Sequence, residues 1–237
     1  MSASDAVVLI SAPMNSNGRL LSSDNAKFEE ARRDMVACQI RERGISSPRV
    51  LAAMEAVPRH LFVPPGLVAQ AYADEALPAG EGQTISQPYV VAASANALSL
   101  EGHERVLDVG AGTGYQAAVL SLLAREVIAL ETIPSLASSA RELLARLGYP
   151  TVRVEVGDGS QGFAPAAPFD AILVAAAAPG VPPPLVEQLT EGGRLVIPVG
   201  TADQQRLLRL VKSGGRVTQK VLFECRFVPL VGRYGWR

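Results

Sequence analysis

After Gly102, short strand-like segments rich in β-branched residues alternate with helical segments, and no other feature of the sequence constrains its fold more. The strand-like segments are "RVLDV", "EVIAL", "VRVEV", "FDAILVAA" and "GRLVIPV". Alternating strands and helices fold into a parallel sheet with helices on both faces. Two last segments, "RLLRLV" and "KVLFECRFVPLV", are separated only by "KSGGRVTQ", which is too short for a crossover helix. We therefore predict a doubly wound α/β fold with a mostly parallel seven-stranded sheet and an antiparallel C-terminal hairpin.

The first hundred residues predict a different organisation. Helical patterns cover "KFEEARRDMVACQIRERG", "SPRVLAAMEAV" and "PYVVAASANALSL", with Gly44 placed to end the first helix and Ser47 to cap the second. Residues 1–25 are polar apart from one apolar tetrad, which predicts a loosely ordered tail. The expected organisation is a tail (1–25), an N-terminal helical subdomain (26–101) and an α/β domain (102–237).

Composition narrows the possible partners. Lys and Arg number 22 against 23 Asp and Glu, so the chain has no excess of positive charge with which to bind nucleic acid. The cysteines, Cys38 and Cys225, match no metal or redox spacing, so we predict no metal site and a reducing compartment. The apolar runs fall well short of the roughly 20 residues of a membrane span, and the N-terminus lacks a secretory pattern. We expect a cytoplasmic monomer that binds neither nucleic acid nor membrane.

The segment "VLDVGAGTGYQAAVL" combines a strand, a glycine turn and a helix. Gly110, Gly112 and Gly114 allow a sharp turn and a close approach of a ligand to the main chain. In the dinucleotide fingerprint G-x-G-x-x-G, the third glycine would stand where this chain has Tyr115. The spacing argues against a bound pyrophosphate and resembles the G-x-G-x-G loop of S-adenosylmethionine-dependent methyltransferases.

Acidic residues follow the next two strands. Glu131 stands about 20 residues beyond the glycine loop, where a carboxylate can accept hydrogen bonds from ribose hydroxyls. Asp158 lies between glycines in "VGDGS", beside Gly159, and is placed to contact an adenine amino group. Because the carboxyl ends of parallel strands meet at one edge of the sheet, these groups predict a nucleoside site there.

The polar segment "GEGQTISQP", residues 80–88, carries the most specific signal. Together with "PRHLFVP", "VLDVGAGTGYQAAVL", "GDGSQGFAPAAPFDAILVAAAAP" and "RFVPLV", it resembles the protein-L-isoaspartate O-methyltransferases from about Arg33 onward. The resemblance implies a Rossmann-like methyltransferase fold, an active-site role for Ser86, and a loop including Gly82 and Gln83 that helps enclose the cofactor. Many relatives have His where this chain has Tyr89, so an imidazole contribution at that position is not expected here.

The same resemblance implies methyl transfer from S-adenosylmethionine to the α-carboxylate of L-isoaspartyl residues in damaged proteins and peptides. The methyl ester then collapses through a succinimide, which partly restores the normal linkage. A carboxylate with a pKa of about 3.5 to 4 is already ionised at neutral pH, so the reaction needs no general base. We accordingly expect His60 and His103 to be packing or surface residues.

Alternatives remain open from the sequence. Ser86 is also suited to cap the helix that begins at Pro88, and Thr84 to stiffen the loop. The acceptor could be one dedicated biosynthetic peptide instead of damaged proteins in general. A nucleotide-binding dehydrogenase and a non-catalytic cofactor-binding module are the competing classes.

Overall fold

The computed structural model describes residues 22–237. The predicted tail lies outside the described residues except for its last four positions, which begin the first helix. Along residues 22–237, no helix is both long enough and apolar enough to cross a membrane.

The N-terminal region is mainly helical. Its elements are α1 (Ser22–Asp34), a π-helical continuation (Met35–Arg41), α2 (Pro48–Ala56), 3-10 turns (Arg59–Leu61 and Pro65–Gln70), strands β1 (Leu77–Gly80) and β2 (Gln83–Ile85), and α3 (Pro88–Leu98). The predicted first helix is therefore continuous in path but widens to a π-helix after Asp34. As expected, the Ser47 side chain caps α2 by accepting a hydrogen bond from the Val50 amide (3.5 Å).

The segment around residues 77–85 forms a small antiparallel hairpin, where the sequence predicts only a loop. Leu77 pairs with Ile85, and both side chains are buried, while the residues between them are mostly exposed. The turn residues Glu81 and Gly82 have φ of 51° and 70°, the left-handed conformation that two-residue hairpin turns require. Two buried apolar ends and a permissive turn outweigh the polar composition that indicated a loop.

The sheet confirms the predicted α/β architecture. Its strands are β3 (Arg105–Val109), β4 (Glu126–Glu131), β5 (Val152–Val156), β6 (Phe169–Val174), β7 (Leu189–Gly200), β8 (Gln205–Ser213) and β9 (Arg216–Cys225). The order is β5-β4-β3-β6-β7-β8-β9; β7–β8 and β8–β9 are antiparallel, and all other pairs are parallel. The order of the last two strands, which the sequence leaves open, places β9 at the edge.

The helices of the α/β region are α4 (Tyr115–Ser121), α5 (Pro134–Arg146) and α6 (Pro183–Glu187). The sequence pattern extends α4 to Arg125, but the structure ends it at Ser121 and continues in turns. One apolar core is continuous from the N-terminal helices to one face of the sheet, and a second fills the other face. For example, the rings of Phe62 and Tyr115 pack edge to face with centroids 5.6 Å apart. The division near residue 101 stays a prediction, because the two predicted regions share this core.

Candidate active site

A cleft that is open to solvent lies at the carboxyl ends of β3, β4 and β6. Four parts of the chain line it: the hairpin end (83–86), the glycine loop with the start of α4 (109–113, Tyr115 and Gln116), the end of β4 (130–132) and a C-terminal stretch (228–231). Val91, Gly159, Ala175 and Ala176 complete the lining. The cleft therefore lies at the sheet edge where open α/β folds bind ligands.

The glycine loop contributes Gly110 and Gly112 to the cleft, whereas Gly114 lies outside its lining. The amides of Gly110 and Ala111 donate to the Leu130 carbonyl (2.8 and 3.2 Å), which ties the loop to β4. No atom lies within 4 Å of where a Cβ on Gly112 would stand, so this backbone faces open space in the cleft. A Cβ on Gly114 would instead lie 3.0 Å from a methyl carbon of Leu144. Gly114 thus allows helix packing behind the cleft, and its predicted cofactor contact stays a prediction.

Glu131 lines the cleft at the end of β4 and is held rigidly. Its Oε2 accepts a hydrogen bond from the Gly112 amide (2.8 Å), and its Oε1 accepts one from the Ile133 amide (3.0 Å). A carboxylate oxygen can accept more than one hydrogen bond, so both oxygens keep capacity for a ligand hydroxyl. The predicted ribose contact stays a prediction, and the geometry is compatible with it.

Asp158 and Gly159 are adjacent in the sequence but have different roles. Gly159 lines the cleft, and a Cβ there would clash with Val109 Cγ1, so the close approach requires glycine. Asp158 does not line the cleft. Its Oδ1 accepts hydrogen bonds from the amide and hydroxyl of Ser160 (2.9 and 2.6 Å), and its Oδ2 accepts from Gln161 Nε2 (3.0 Å) and the Arg233 amide (2.8 Å). These bonds lower the pKa of Asp158 despite its partial burial, which by itself would raise it. Its predicted adenine contact remains untested.

The C-terminal segment, residues 228–237, is a part of the site that sequence reasoning did not assign. Ala177 anchors it: its amide donates to the Val228 carbonyl (2.8 Å), and its carbonyl accepts from the Leu230 amide (2.8 Å) and from Trp236 Nε1 (3.0 Å). The Arg233 amide adds the bond to Asp158. The residues that line the cleft here are apolar and carry no chemical signature, so only the resemblance of "RFVPLV" pointed to them.

Ser86 lies at the mouth of the cleft, together with Gln83, Thr84 and Ile85, whereas Gly82 stands in the hairpin turn outside the lining. The capping position of α3 is occupied by Gln87, whose side chain makes no capping bond, so the alternative that Ser86 caps this helix is wrong. Among the described residues, the Ser86 hydroxyl has no hydrogen-bond partner, so it is available to a ligand.

Asp108 is a buried acid next to the cleft that sequence reasoning quoted but did not assign. Burial raises its pKa to about 7, Gln116 opposes the shift by donating a hydrogen bond to Oδ1 (2.6 Å), and the nearby charge of Glu131 adds to it. Oδ2 has no partner among the described residues. The sequence signal that could have identified Asp108 is an acid within "RVLDV", a strand that is otherwise apolar after Arg105.

The histidines lie outside the cleft lining, as expected. His60 is buried, stacks on Phe28 (ring centroids 4.1 Å apart) and shares a hydrogen bond with the Tyr72 hydroxyl (2.7 Å). Burial, with the nearby charge of Arg32, lowers its pKa to about 4. His103 is exposed. Within residues 22–237, no group of three or more His, Cys, Asp or Glu side chains is placed to hold a metal.

Residues 30–235 match the sequence profile described as protein-L-isoaspartate(D-aspartate) O-methyltransferase. The chain belongs to this methyltransferase family. The competing interpretation as a nucleotide-binding dehydrogenase is thereby wrong.

Relatives share the family assignment over nearly their whole length. A protein-L-isoaspartate O-methyltransferase of Methanoculleus marisnigri is 54% identical over 206 residues, covering 87% of this chain and 94% of the relative. Protein-L-isoaspartate O-methyltransferase 2 of Marinobacter nauticus is 53% identical over 218 residues, which cover 91% of this chain and 100% of the relative. Among solved structures, a Plasmodium falciparum beta-aspartate methyltransferase in complex with S-adenosyl-L-homocysteine superposes with a TM-score of 0.73 at 27% identity, covering 84% of this chain and 98% of that chain. The methyltransferase fold of the present chain is therefore supported by sequence and by structure.

Proposed function

We propose that this protein transfers a methyl group from S-adenosylmethionine to the α-carboxylate of L-isoaspartyl residues in damaged proteins and peptides. The observation that carries the proposal is the meeting of Ser86 and the glycine loop in one cleft. Family membership and the names of the relatives give the reaction class. The structural neighbour solved with S-adenosyl-L-homocysteine supports the cofactor.

The residues of the cleft fit such a cofactor. Gly112 faces open space, Gly159 lies in the lining, and Glu131 presents a fixed carboxylate. Asp108, a buried acid with one unpartnered oxygen, directly precedes Val109 and Gly110 of the cleft lining. We propose that Glu131 holds the ribose hydroxyls and that Gly110, Gly112 and Gly159 contact the cofactor through their backbones.

The cofactor supplies an electrophilic methyl group on a positively charged sulfur. The chain supplies position, an effect worth about 7 to 11 kcal/mol in the best intramolecular cases. We propose that Ser86 donates a hydrogen bond to one oxygen of the substrate carboxylate and leaves the other free to attack. A general base is not needed, because the carboxylate is ionised at neutral pH.

The test uses an isoaspartyl peptide, its aspartyl twin of identical sequence, and S-adenosylmethionine labelled on the methyl group. The proposal expects base-labile label in the isoaspartyl peptide alone. Equal labelling of both peptides, or of neither, would refute it. Heat-inactivated protein is the control for non-enzymatic transfer.

We further propose that the protein is a cytoplasmic monomer that acts on many damaged proteins. Light scattering at micromolar concentration, with and without S-adenosyl-L-homocysteine, should give the mass of one chain. Methylation of several unrelated aged proteins would separate general repair from action on one dedicated peptide.

A further inference from the structure

A second cavity adjoins the cofactor cleft. The two cavities share Thr84 and Ser86, so Ser86 stands at their junction. The second cavity lies between the start of α3 and the end of β9 and includes Tyr89, Phe223 and Arg226 in its lining. A ligand in this cavity would reach the cofactor cleft at the residue for which we propose substrate contact.

A third cavity continues from the second. The two share Arg43, Tyr89 and Phe223. Arg209 and Lys220 stand in its lining, on neighbouring strands. We call the two cavities together the α3–β9 groove; it leads from Ser86 along the inner side of the edge strand.

The shared part of the groove has an organised aromatic wall. The Arg43 guanidinium carbon lies 3.6 Å from the centroid of the Tyr89 ring, and Arg43 Nη1 contacts Asp74 Oδ2 at 3.0 Å. The ring centroids of Tyr89 and Phe223 are 6.0 Å apart. Gln87 Nε2 donates to Asp74 Oδ1 (2.8 Å), so the network also reaches the start of α3. This wall therefore presents aromatic surface that is held in place by an ion pair.

The lining of the groove as a whole is basic. Its lining carries Arg43, Arg209, Lys220 and Arg226 against one acid, Glu224, and Arg43 is already paired with Asp74. Arg209 and Lys220 stand directly opposite each other on β8 and β9, an arrangement of like charges that costs free energy. Arg209 Nε donates to the Ala97 carbonyl (2.6 Å), and the exposed Lys220 stays on the groove surface. An anionic side chain seated here would relieve the repulsion.

We propose that the α3–β9 groove binds the polypeptide that flanks the isoaspartyl residue, and that Lys220 with Arg209 selects substrates carrying an acidic side chain at a distance from it. The proposal rests on the proposed function and adds a sequence preference to it. The flanking chain crosses the aromatic wall at Tyr89 and Phe223. The carboxylate of its acidic residue then meets the basic pair.

The length of β9 predicts how far the acidic residue of the substrate lies from the isoaspartyl residue. Cys225 lines the cavity that contains Ser86, and Lys220 lies five residues earlier on the same strand. At about 3.3 Å per residue this is ~17 Å, which an extended peptide spans in about five residues. The preference is therefore expected about five positions from the isoaspartyl residue, on one side of it.

The experiment measures binding of fluorescein-labelled 15-residue isoaspartyl peptides by anisotropy, in the presence of saturating S-adenosyl-L-homocysteine. Glu is placed five positions before or five positions after the central isoaspartyl residue, and Gln replaces it in each matched twin. The Glu peptide of one series should bind about two- to fivefold more tightly than its Gln twin, the range expected of an exposed ion pair. The preference should shrink in 0.5 M salt because exposed charges are screened.

Two variants test whether Lys220 causes the preference for the Glu peptide. Lys220→Glu should abolish or invert the preference; Lys220 is exposed, so the fold should persist. Arg146→Glu makes the same charge change on the exposed end of α5, outside the groove, and should keep the preference. Equal binding of Glu and Gln peptides in both series, or a preference that survives Lys220→Glu, would overturn the inference. In that case methylation of the same peptides would still uphold the proposed function, whereas isoaspartyl peptides that neither bind nor accept methyl groups would overturn both.

Discussion

Ser86 is the residue on which the proposed chemistry depends most. Ser86→Ala removes one hydrogen bond to a charged group, worth about 1.5–3 kcal/mol, so kcat/KM for an isoaspartyl peptide should fall about 10- to 100-fold. The dissociation constant of S-adenosyl-L-homocysteine, measured by calorimetry, should stay nearly unchanged. The control is Ser138→Ala, which removes an exposed hydroxyl on α5. An unchanged rate in the Ser86 variant would remove this residue from the mechanism.

Asp108 should make stability depend on pH. Its folded pKa of about 7 exceeds the ordinary value of 3.8, so the folded state holds a proton that the unfolded state releases. The wild type therefore loses stability as pH rises from about 4 to about 7, by up to ~4 kcal/mol at about 1.4 kcal/mol per pKa unit. Asp108→Asn cannot ionise, so urea titrations should show its free energy of unfolding rising relative to wild type over this range. A flat or opposite difference would contradict the shift.

The residues of the site were predictable to the extent that their chemistry has a local pattern. Gly110, Gly112 and Glu131 follow strands that the sequence identifies, and they line the cleft. Asp158 shows the limit, because its partner Arg233 is 75 positions away in the sequence and supplies a backbone amide that no residue type reveals. The groove of Arg43, Tyr89 and Lys220 was equally hidden, since it joins the end of the π-helix to α3 and the edge strand.

At the scale of elements, the strands of the sheet were predictable because buried parallel strands are continuous apolar runs. The β1–β2 hairpin was not, because only Leu77 and Ile85 are buried and the intervening residues are polar. The π-helical stretch after α1 has no pattern distinct from an α-helix in sequence. Both departures lie in the N-terminal region, where tertiary contacts outweigh local preference.

The C-terminal segment should depend on Asp158. In Asp158→Asn, an NH2 group replaces one carboxylate oxygen. In the place of Oδ2 it cannot accept the hydrogen bonds that Gln161 Nε2 and the Arg233 amide donate to Asp158. The loss should be about 1–3 kcal/mol, and S-adenosyl-L-homocysteine should bind several-fold more weakly because Val228–Val231 lines its proposed cleft. Asp203→Asn, in an exposed loop, is the matched control. Wild-type affinity in Asp158→Asn would show that the segment stays in place without this carboxylate.

The turn after β5 gives a test of close packing. Gly159→Ala places a methyl group against Val109, which should cost about 1–3 kcal/mol of stability and weaken cofactor-product binding. Gly180→Ala is the control, because no atom lies within 4 Å of its Cβ position and its backbone is not in the left-handed region. Thermal unfolding and calorimetry report the two effects separately. Equal stability and equal binding in the two variants would show that the turn accommodates the added methyl group without cost.

At the scale of the whole molecule, function depends on the junction of two regions. The N-terminal region supplies Ser86 and one wall of the groove, and the sheet supplies the glycine loop, Glu131 and the edge strand. Their shared core, which includes the Phe62–Tyr115 contact, fixes one region relative to the other. The sequence predicted both regions, but their joint geometry follows only from long-range packing.

The most direct test of the account is a crystal structure with S-adenosyl-L-homocysteine and an isoaspartyl peptide bound together. The account predicts that the α-carboxylate of the isoaspartyl residue accepts a hydrogen bond from Ser86 Oγ, at about 2.5–3.0 Å, and lies on the side of the cleft that faces the cofactor sulfur. A carboxylate bound elsewhere, with Ser86 touching neither ligand, would contradict it.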